Sequence, residues 1–590
     1  MVHAPLAIGT RLPEVLTAQT PFDVAAGALQ SWLDGDGAAF ASRTTRPDPH
    51  RKRASWDLVL QHATLGSQRV QFTIPRDFPA SVPQVYFDKN LCLALPHIEE
   101  TGRFCHGVAP SPQDYAQPVG AAKAVLKALD DFWQKSNDVT WVLSEFHKER
   151  LSYWQRFCEK FRIERKLPTP QEVRVALSPL EGVTEGQLAS YFLQGPNSRS
   201  KLLLATVGEA DPQVLAARHG WSVGTLVLGH VLFVPVPDNV RWTPSDWPQS
   251  LGQLESLVAQ VTDHQQSVVH WIESKQDDQP HPFMVVLVQD KVCYGYIVTP
   301  APVPRLTLPG IAPVVVDRVD ADWALSRDYQ LDLLTARRQK RVLVLGCGSL
   351  GAPVAELLAR GGVGELHLLD KEGFEAENCS RHVLGAADIG VPKANALAKR
   401  LRMLIPGLTV KSHFALAADW LQHVCKPGAH DFVVDCTGES SIRVMLSHFR
   451  DLAIGSCPIV HAWVEPFCAA THVVHLAETD TWPSYDPGAK IAAAQWPQDA
   501  RVNLPACGAG FHPYGAADVW QSAGFTAERV LAVLDGKVQQ SIVWSSIRSK
   551  AYFESLGVEV VPGPLVPVSQ FTFDATQITR ALADLLSKND

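Results

Sequence analysis

Between residues 341 and 393, glycines, one acid and three polar or cationic side chains fall at spacings that suit phosphate chemistry. An apolar run, Arg341 to Leu345, leads into Gly346-Cys347-Gly348-Ser349-Leu350-Gly351 and then into an alanine- and leucine-rich stretch. A second apolar run, Glu365 to Leu369, ends on Asp370. Strand, glycine turn, helix and strand make a Rossmann-type βαβ unit. Its glycines let phosphates approach the backbone at a helix N-terminus, and its acid is placed to hold a ribose. Those features suit NAD as readily as ATP. Asn378, Arg381 and Lys393, downstream of the strand end, decide between them. A dehydrogenase has no need of such a cluster. Attack at the α-phosphate of ATP does, because negative charge builds up there in the transition state.

This stretch resembles the adenylation domain of ubiquitin-activating enzymes and of their ThiF-type bacterial relatives, the adenylyltransferases of molybdopterin and thiamine biosynthesis. The family's aspartate, Asn-x-x-Arg pair and Gly-x-x-Lys turn correspond to Asp370, Asn378, Arg381 and Gly390-Val391-Pro392-Lys393. The resemblance implies that ATP and Mg²⁺ adenylate a protein's C-terminal carboxylate and that pyrophosphate is released. It assigns nucleotide binding to Gly346, Gly348, Gly351, Asp370, Asn378, Arg381 and Lys393, the last two also with a catalytic role. The family's next motif appears as Asp435-Cys436-Thr437-Gly438-Glu439. Gly438 replaces the aspartate usually assigned to Mg²⁺, so Asp435 or Glu439 is expected to supply the carboxylate. An arginine upstream of the glycine loop reaches ATP in this family, often from the partner subunit of a dimer. Arg327 fits by position, Arg318 less well, and a solvated surface arginine is the plain alternative.

Two cysteines stand out for chemistry, because a thiolate is a strong nucleophile. Residues 69 to 105, RVQFTIPRDFPASVPQVYFDKNLCLALPHIEETGRFC, resemble a ubiquitin-conjugating enzyme. The family's Phe-Pro turn, Pro-x-Val strand and Gly-x-x-Cys correspond to Phe78-Pro79, Pro83 to Phe87 and Gly102 to Cys105. Cys105 then matches the cysteine that carries a thioester. The family's asparagine is absent, leaving His97 or His106 for a polar role, with a plain surface histidine as the favoured alternative. The alternative for Cys105 is an inert buried thiol. Cys507, in the loop Asn503 to Pro513, is the candidate for an earlier thioester on the activating side, with a structural loop cysteine as the alternative. Cys379, Cys425, Cys436, Cys457 and Cys468 read as core residues, and Cys347 lies in the glycine loop, where a small side chain is all that is required.

The fold class expected is a multidomain α/β protein. Residues 1–160 form an α+β conjugating-enzyme-like domain, 161–325 a middle α/β domain of unassigned role, and 326–590 a Rossmann-like adenylation domain. At ~150 residues per domain, a chain of 590 residues has room for these. A formal charge of −8 with no basic run argues against nucleic acid. No apolar stretch reaches the ~18 residues that span a bilayer, and the N-terminal residues lack a secretory pattern, so a cytoplasmic protein without membrane partners is expected. Scattered cysteines without CxxC pairs fit a reducing compartment and exclude a zinc ribbon.

A conjugating-like module and an activating-like module in one chain resemble the bacterial fused enzymes of CBASS anti-phage operons. That architecture implies transfer of a ubiquitin-like modifier, or of a cyclic-oligonucleotide synthase C-terminus, to a target amine, and a homodimer. The rival readings are a sulfur-carrier adenylyltransferase, an NAD(P)-dependent oxidoreductase, and a non-catalytic binding protein.

Overall fold

A computed structural model describes residues 20–38, 54–167, 172–192, 201–221, 223–240, 242–275, 281–299, 310–327, 330–483, 485–497, 500, 502–503 and 510–586. The chain divides into two compact units. One comprises residues 1–174, 179–210 and 224–317; the other comprises 175–178, 211–223 and 318–590.

The first unit opens with helix Pro21–Asp34, started by a capping box in which Thr20 and Asp23 satisfy each other's backbone N–H. An antiparallel meander follows, Ala54–His62, Gly66–Ile74 and Gln84–Tyr86, in a register that sets Trp56 opposite Phe72. Helix Pro118–Lys135 buries Ala121, Ala122, Val125, Leu126, Leu129, Phe132 and Trp133. Their spacing of three and four residues puts them on one face, which closes the core over the meander.

Helix Arg150–Glu164 belongs to a different core. Its buried Tyr153, Trp154, Phe157 and Phe161 join Tyr294, Tyr296, Trp242 and Trp247 beneath a second sheet. In that sheet Gly310–Val314, Val292–Thr299, Phe283–Gln289, Val223–Pro235, Thr184–Phe192 and Lys201–Val207 lie side by side in that order. Trp154 anchors the helix, donating from Nε1 to the Val314 carbonyl at 3.1 Å. The same region holds helix Leu251–Val261, which buries Leu254 and Val258.

The second unit holds a sheet ordered Thr409–Phe414, Glu365–Asp370, Arg341–Leu345, Phe432–Asp435, Ile459–Val464, Ala470–Leu476, Ile542–Arg548, Ala575–Ala581. The first five strands are parallel and the last three antiparallel. Alternate residues serve opposite faces: Val342 and Val344 pack with helices Gly351–Arg360, Lys393–Leu404 and Ala516–Leu534. Leu343 and Leu345 pack with helices Ala417–His423 and Ser440–His448. Both faces are covered, which is why these strands read as continuous apolar runs. The strand order reverses between Arg341–Leu345 and Phe432–Asp435. Ligands of doubly wound sheets bind at such a switch point, outside the carboxyl ends of the strands.

Candidate active site

The glycine loop leaves the sheet at the switch point. Gly346 has φ +81, a conformation that disfavours a side chain, and a Cβ there would lie 2.9 Å from the backbone of Cys436 and Thr437. At Gly351 an added Cβ would sit 1.9 Å from the Gly346 carbonyl, so this glycine lets the helix close on the loop. Gly348 differs: a Cβ there would meet nothing within 4 Å. The protein's own packing does not require glycine at 348, and the open space there lies on the side where a ligand would approach.

Asp370, at the end of its strand, accepts hydrogen bonds from the Cys347 N–H at 2.7 Å and the Glu372 N–H at 2.8 Å. Burial pushes its carboxyl above the usual range, and these two amides oppose that shift. Lys393 begins helix Lys393–Leu404 with its ammonium almost buried and 2.5 Å from Glu372. Glu372, which no motif singled out, therefore joins Asp370 and Lys393 into one charged group.

Asn378 ends the turn Ala376–Asn378, and Arg381 follows it. The Asn378 side chain accepts from the Glu375 N–H at 3.1 Å and shapes that turn. Arg381 lies over the Tyr514 ring at 4.7 Å and donates to the His512 carbonyl at 3.3 Å. The Tyr514 hydroxyl is 2.5 Å from Ser349 Oγ in the glycine loop. His382 ties the same segment to that loop. Its Nε2 is 2.7 Å from the Cys347 carbonyl, and its Nδ1 accepts from the Leu384 N–H at 3.1 Å. That pairing assigns the proton to Nε2 of a neutral ring, and burial pushes the imidazole down to about 4.

The two candidate metal carboxylates differ in placement. Asp435 is buried beneath the loop. One oxygen accepts from the Thr437 N–H at 3.0 Å and hydroxyl at 2.7 Å, and the other pairs with His461 Nδ1 at 2.8 Å. Burial pushes its carboxyl up, yet the His461 and Thr437 contacts outweigh this and hold it below the usual range. Both oxygens therefore already take part in hydrogen bonds beneath the loop. Glu439 is half exposed and pairs with Lys371 at 2.9 Å.

A cavity of about 410 Å³ occupies the switch point. Gly346, Gly348, Asp370, Glu372, Thr437 and Glu439 line one side; Leu416, Ala417, Asp419 and Gln422 line another. Cys436 packs against the core and also lines the cavity, and Cys347, Cys457 and Cys468 are buried. Asn378, Arg381 and Lys393 are not among the lining residues. Glu372 and the 382–347 hydrogen bond connect them to it. Among the described residues no cluster of three or more His, Cys, Asp or Glu is arranged to hold a metal ion.

Cys105 is exposed and closes a tight hairpin: its N–H donates to the His97 carbonyl at 2.8 Å, and Ile98 pairs antiparallel with Phe104. Gly102 makes the turn at φ +83, where an added Cβ would fall 2.2 Å from the Phe87 carbonyl oxygen. His106 accepts from the Val108 N–H, and burial lowers its imidazole. Cys507 lies outside the described residues. Arg327 is exposed, just past helix Ala321–Ala324. Arg318 is engaged by Asp320.

A doubly wound nucleotide-binding domain with a glycine loop, a strand-end aspartate and a cationic helix start defines the class of this second unit. Residues 324–538 match the ThiF family model. The chain is 28% identical over 243 residues to the "ATP-dependent ubiquitin transferase-like protein Cap2" of Escherichia coli (strain TW11681), covering 38% of this chain and 40% of that protein. It is 35% identical over 178 residues to the "Adenylyltransferase and sulfurtransferase MOCS3" of Mus musculus (29% of this chain, 38% of that one). It is 32% identical over 122 residues to the "Molybdopterin-synthase adenylyltransferase" of Escherichia coli (strain K12) (20% and 49%). The match spans less than half the length of each of these curated relatives. No helix among the described residues is long and apolar enough to cross a membrane.

Proposed function

We propose that the second unit uses ATP to convert a protein's C-terminal carboxylate into an acyl-adenylate, and that the chain then passes the acyl group through thioesters to a target amine. The observation that carries the adenylation reading is the cavity at the switch point, open at Gly348 and bordered by Asp370. A carboxylate oxygen attacks the α-phosphorus of ATP, the bond to the β-phosphate oxygen breaks, and pyrophosphate leaves. Asp370 is placed for the ribose hydroxyls. Lys393 and Arg381 offset charge growing on the phosphates, Lys393 exchanging its Glu372 contact for a phosphate oxygen. Mg²⁺ needs only one or two protein carboxylates beside phosphate and water oxygens, and Glu439, on the cavity wall, is the residue that would hold it and so neutralise phosphate charge.

In the steps that follow, the Cys507 thiolate takes the acyl carbon with AMP as leaving group, and exchange moves the acyl group to Cys105. An amine of the target then displaces Cys105 to form an amide. The N-terminal meander, its flanking helices and the exposed Cys105 on its hairpin support a conjugating-enzyme role. The relatives named "ATP-dependent ubiquitin transferase-like protein Cap2" support transfer of a ubiquitin-like cargo; a ubiquitin-like modifier or a cyclic-oligonucleotide synthase C-terminus as that cargo, in anti-phage defence, is what the two-module architecture implies. Arg327 would complete the ATP site of a second copy in a cytoplasmic homodimer.

A second reading, adenylation of a sulfur carrier, is favoured by the adenylyltransferase relatives. Incubation with ATP and candidate modifiers separates the two. The first gives a reducible thioester on the chain; the second gives adenylate that sulfide converts to a thiocarboxylate, with no thioester on Cys105. Binding of NAD without ATP would reject both.

A further inference from the structure

The residue opposite Cys105 in its hairpin is held in a way that hairpin pairing does not require. His97 adopts φ +60, a left-handed conformation that a residue with a Cβ rarely takes. Such a conformation persists only where the surroundings over-determine it, and four contacts do so here. The His97 carbonyl accepts from the Cys105 N–H at 2.8 Å. The His97 N–H donates to the Tyr153 hydroxyl at 2.9 Å. Its ring lies between two carboxylates, with Nε2 3.2 Å from Glu145 and Nδ1 3.6 Å from Glu149. Tyr153 in turn donates to Glu149 at 3.2 Å, which fixes the hydroxyl so that its lone pair faces the His97 amide.

Tyr153 is fully buried, and its neighbour Trp154 is packed against Tyr294 at 5.1 Å and Trp247 at 5.3 Å in the core of the second sheet. The thiol hairpin is thus referenced to a helix whose position is set by the middle region rather than by the meander.

We propose that Tyr153 is a positioning residue for the Cys105 thiol, acting through the left-handed His97, so that acceptance of a thioester at Cys105 depends on the helix seated in the middle sheet. This rests on the thioester reading of Cys105. It gives the middle region a role: it holds the hairpin in the conformation in which Cys105 meets an incoming acyl group.

Two sets of variants in the full chain test it. Tyr153→Phe keeps the ring in its core and removes the acceptor. It should speed hydrogen–deuterium exchange at the His97 and Cys105 amides and slow arrival of the thioester at Cys105 by about fivefold, the scale of one neutral hydrogen bond. Alkylation of Cys105 by iodoacetamide, a small reagent that needs no positioning, and ATP–pyrophosphate exchange should stay at the parent rate. At position 97, Gly and Asn tolerate the left-handed conformation and Ala does not. Thioester arrival should therefore rank His97→Gly and His97→Asn above His97→Ala, although all three lose the ring contacts. Equal losses for the three, or parent-like amide exchange and transfer in Tyr153→Phe, would overturn the proposal. Normal conjugation by Cys105→Ala would remove the thioester reading and this proposal with it. Faster amide exchange in Tyr153→Phe would still report the contact itself, so the two failures are told apart.

Discussion

The neutral ring of His382 donates from Nε2 to the carbonyl of Cys347 at 2.7 Å, fastening the segment that bears Asn378 and Arg381 to the glycine loop. No motif pointed to this histidine. It is the contact through which residues read separately along the chain become one site.

That contact has a pH signature. Burial pushes His382 down to about 4, so the folded chain refuses a proton that the unfolded chain accepts below about 6.5. Stability from this group is intact above pH 6.5 and is lost as the pH falls toward 4, a change of about 3 kcal/mol at most. His430 is pushed to about 4 as well and shares the window. Replacing His382 with Gln keeps an N–H donor and removes the titration. Urea midpoints measured between pH 7 and 4 should then fall less steeply than in the parent. An unchanged slope would show that His382 does not titrate as described.

Lys393→Ala and Arg381→Ala should each depress modifier-dependent ATP–pyrophosphate exchange by about two orders of magnitude or more, as for other groups that stabilise charge in a transition state. Parent-like exchange in both variants would sink the adenylation reading.

The two carboxylates near the loop should behave differently. Asp435→Asn breaks a buried contact with His461 and should cost about 3 kcal/mol of stability, read as a lower thermal midpoint. Glu439→Gln should leave the midpoint near the parent's and raise the Mg²⁺ concentration needed for half-maximal exchange. A magnesium requirement that shifts with Asp435 and not with Glu439 would reverse the assignment.

Order of transfer is visible in the cysteine variants. Cys507→Ala should form adenylate and load neither cysteine, whereas Cys105→Ala should accumulate a reducible thioester elsewhere on the chain and make no conjugate. Thioester on Cys105 in the absence of Cys507 would mean that the acyl group passes directly from the adenylate.

If Arg327 reaches the ATP site of a second copy, Arg327→Ala should lower exchange without changing the sedimentation of the dimer. Mixing it with an inactive Lys393→Ala chain should restore part of the activity. A fully active monomer at micromolar concentration would rule out the shared site.

Local pattern sufficed for the βαβ unit: Val342 to Leu345 are apolar at every position because the strand is covered on both faces, and the glycines that follow permit the tight turn. The motif residues Gly346, Gly348 and Asp370 were legible because their chemistry is set within a few residues of chain. What the sequence could not decide was partnership at a distance. Asp435 and Glu439 are both acids beside the same turn, and only the fold turns one onto His461 and the other onto the cavity wall. Leu416, Asp419 and Gln422 reach the cavity because a parallel strand returns its loop to the same sheet edge, a placement no local spacing encodes. Trp154 is an ordinary helical aromatic in sequence. Its packing with Tyr294, some 140 residues away, follows from which core has space for an indole, and that is decided by tertiary packing alone.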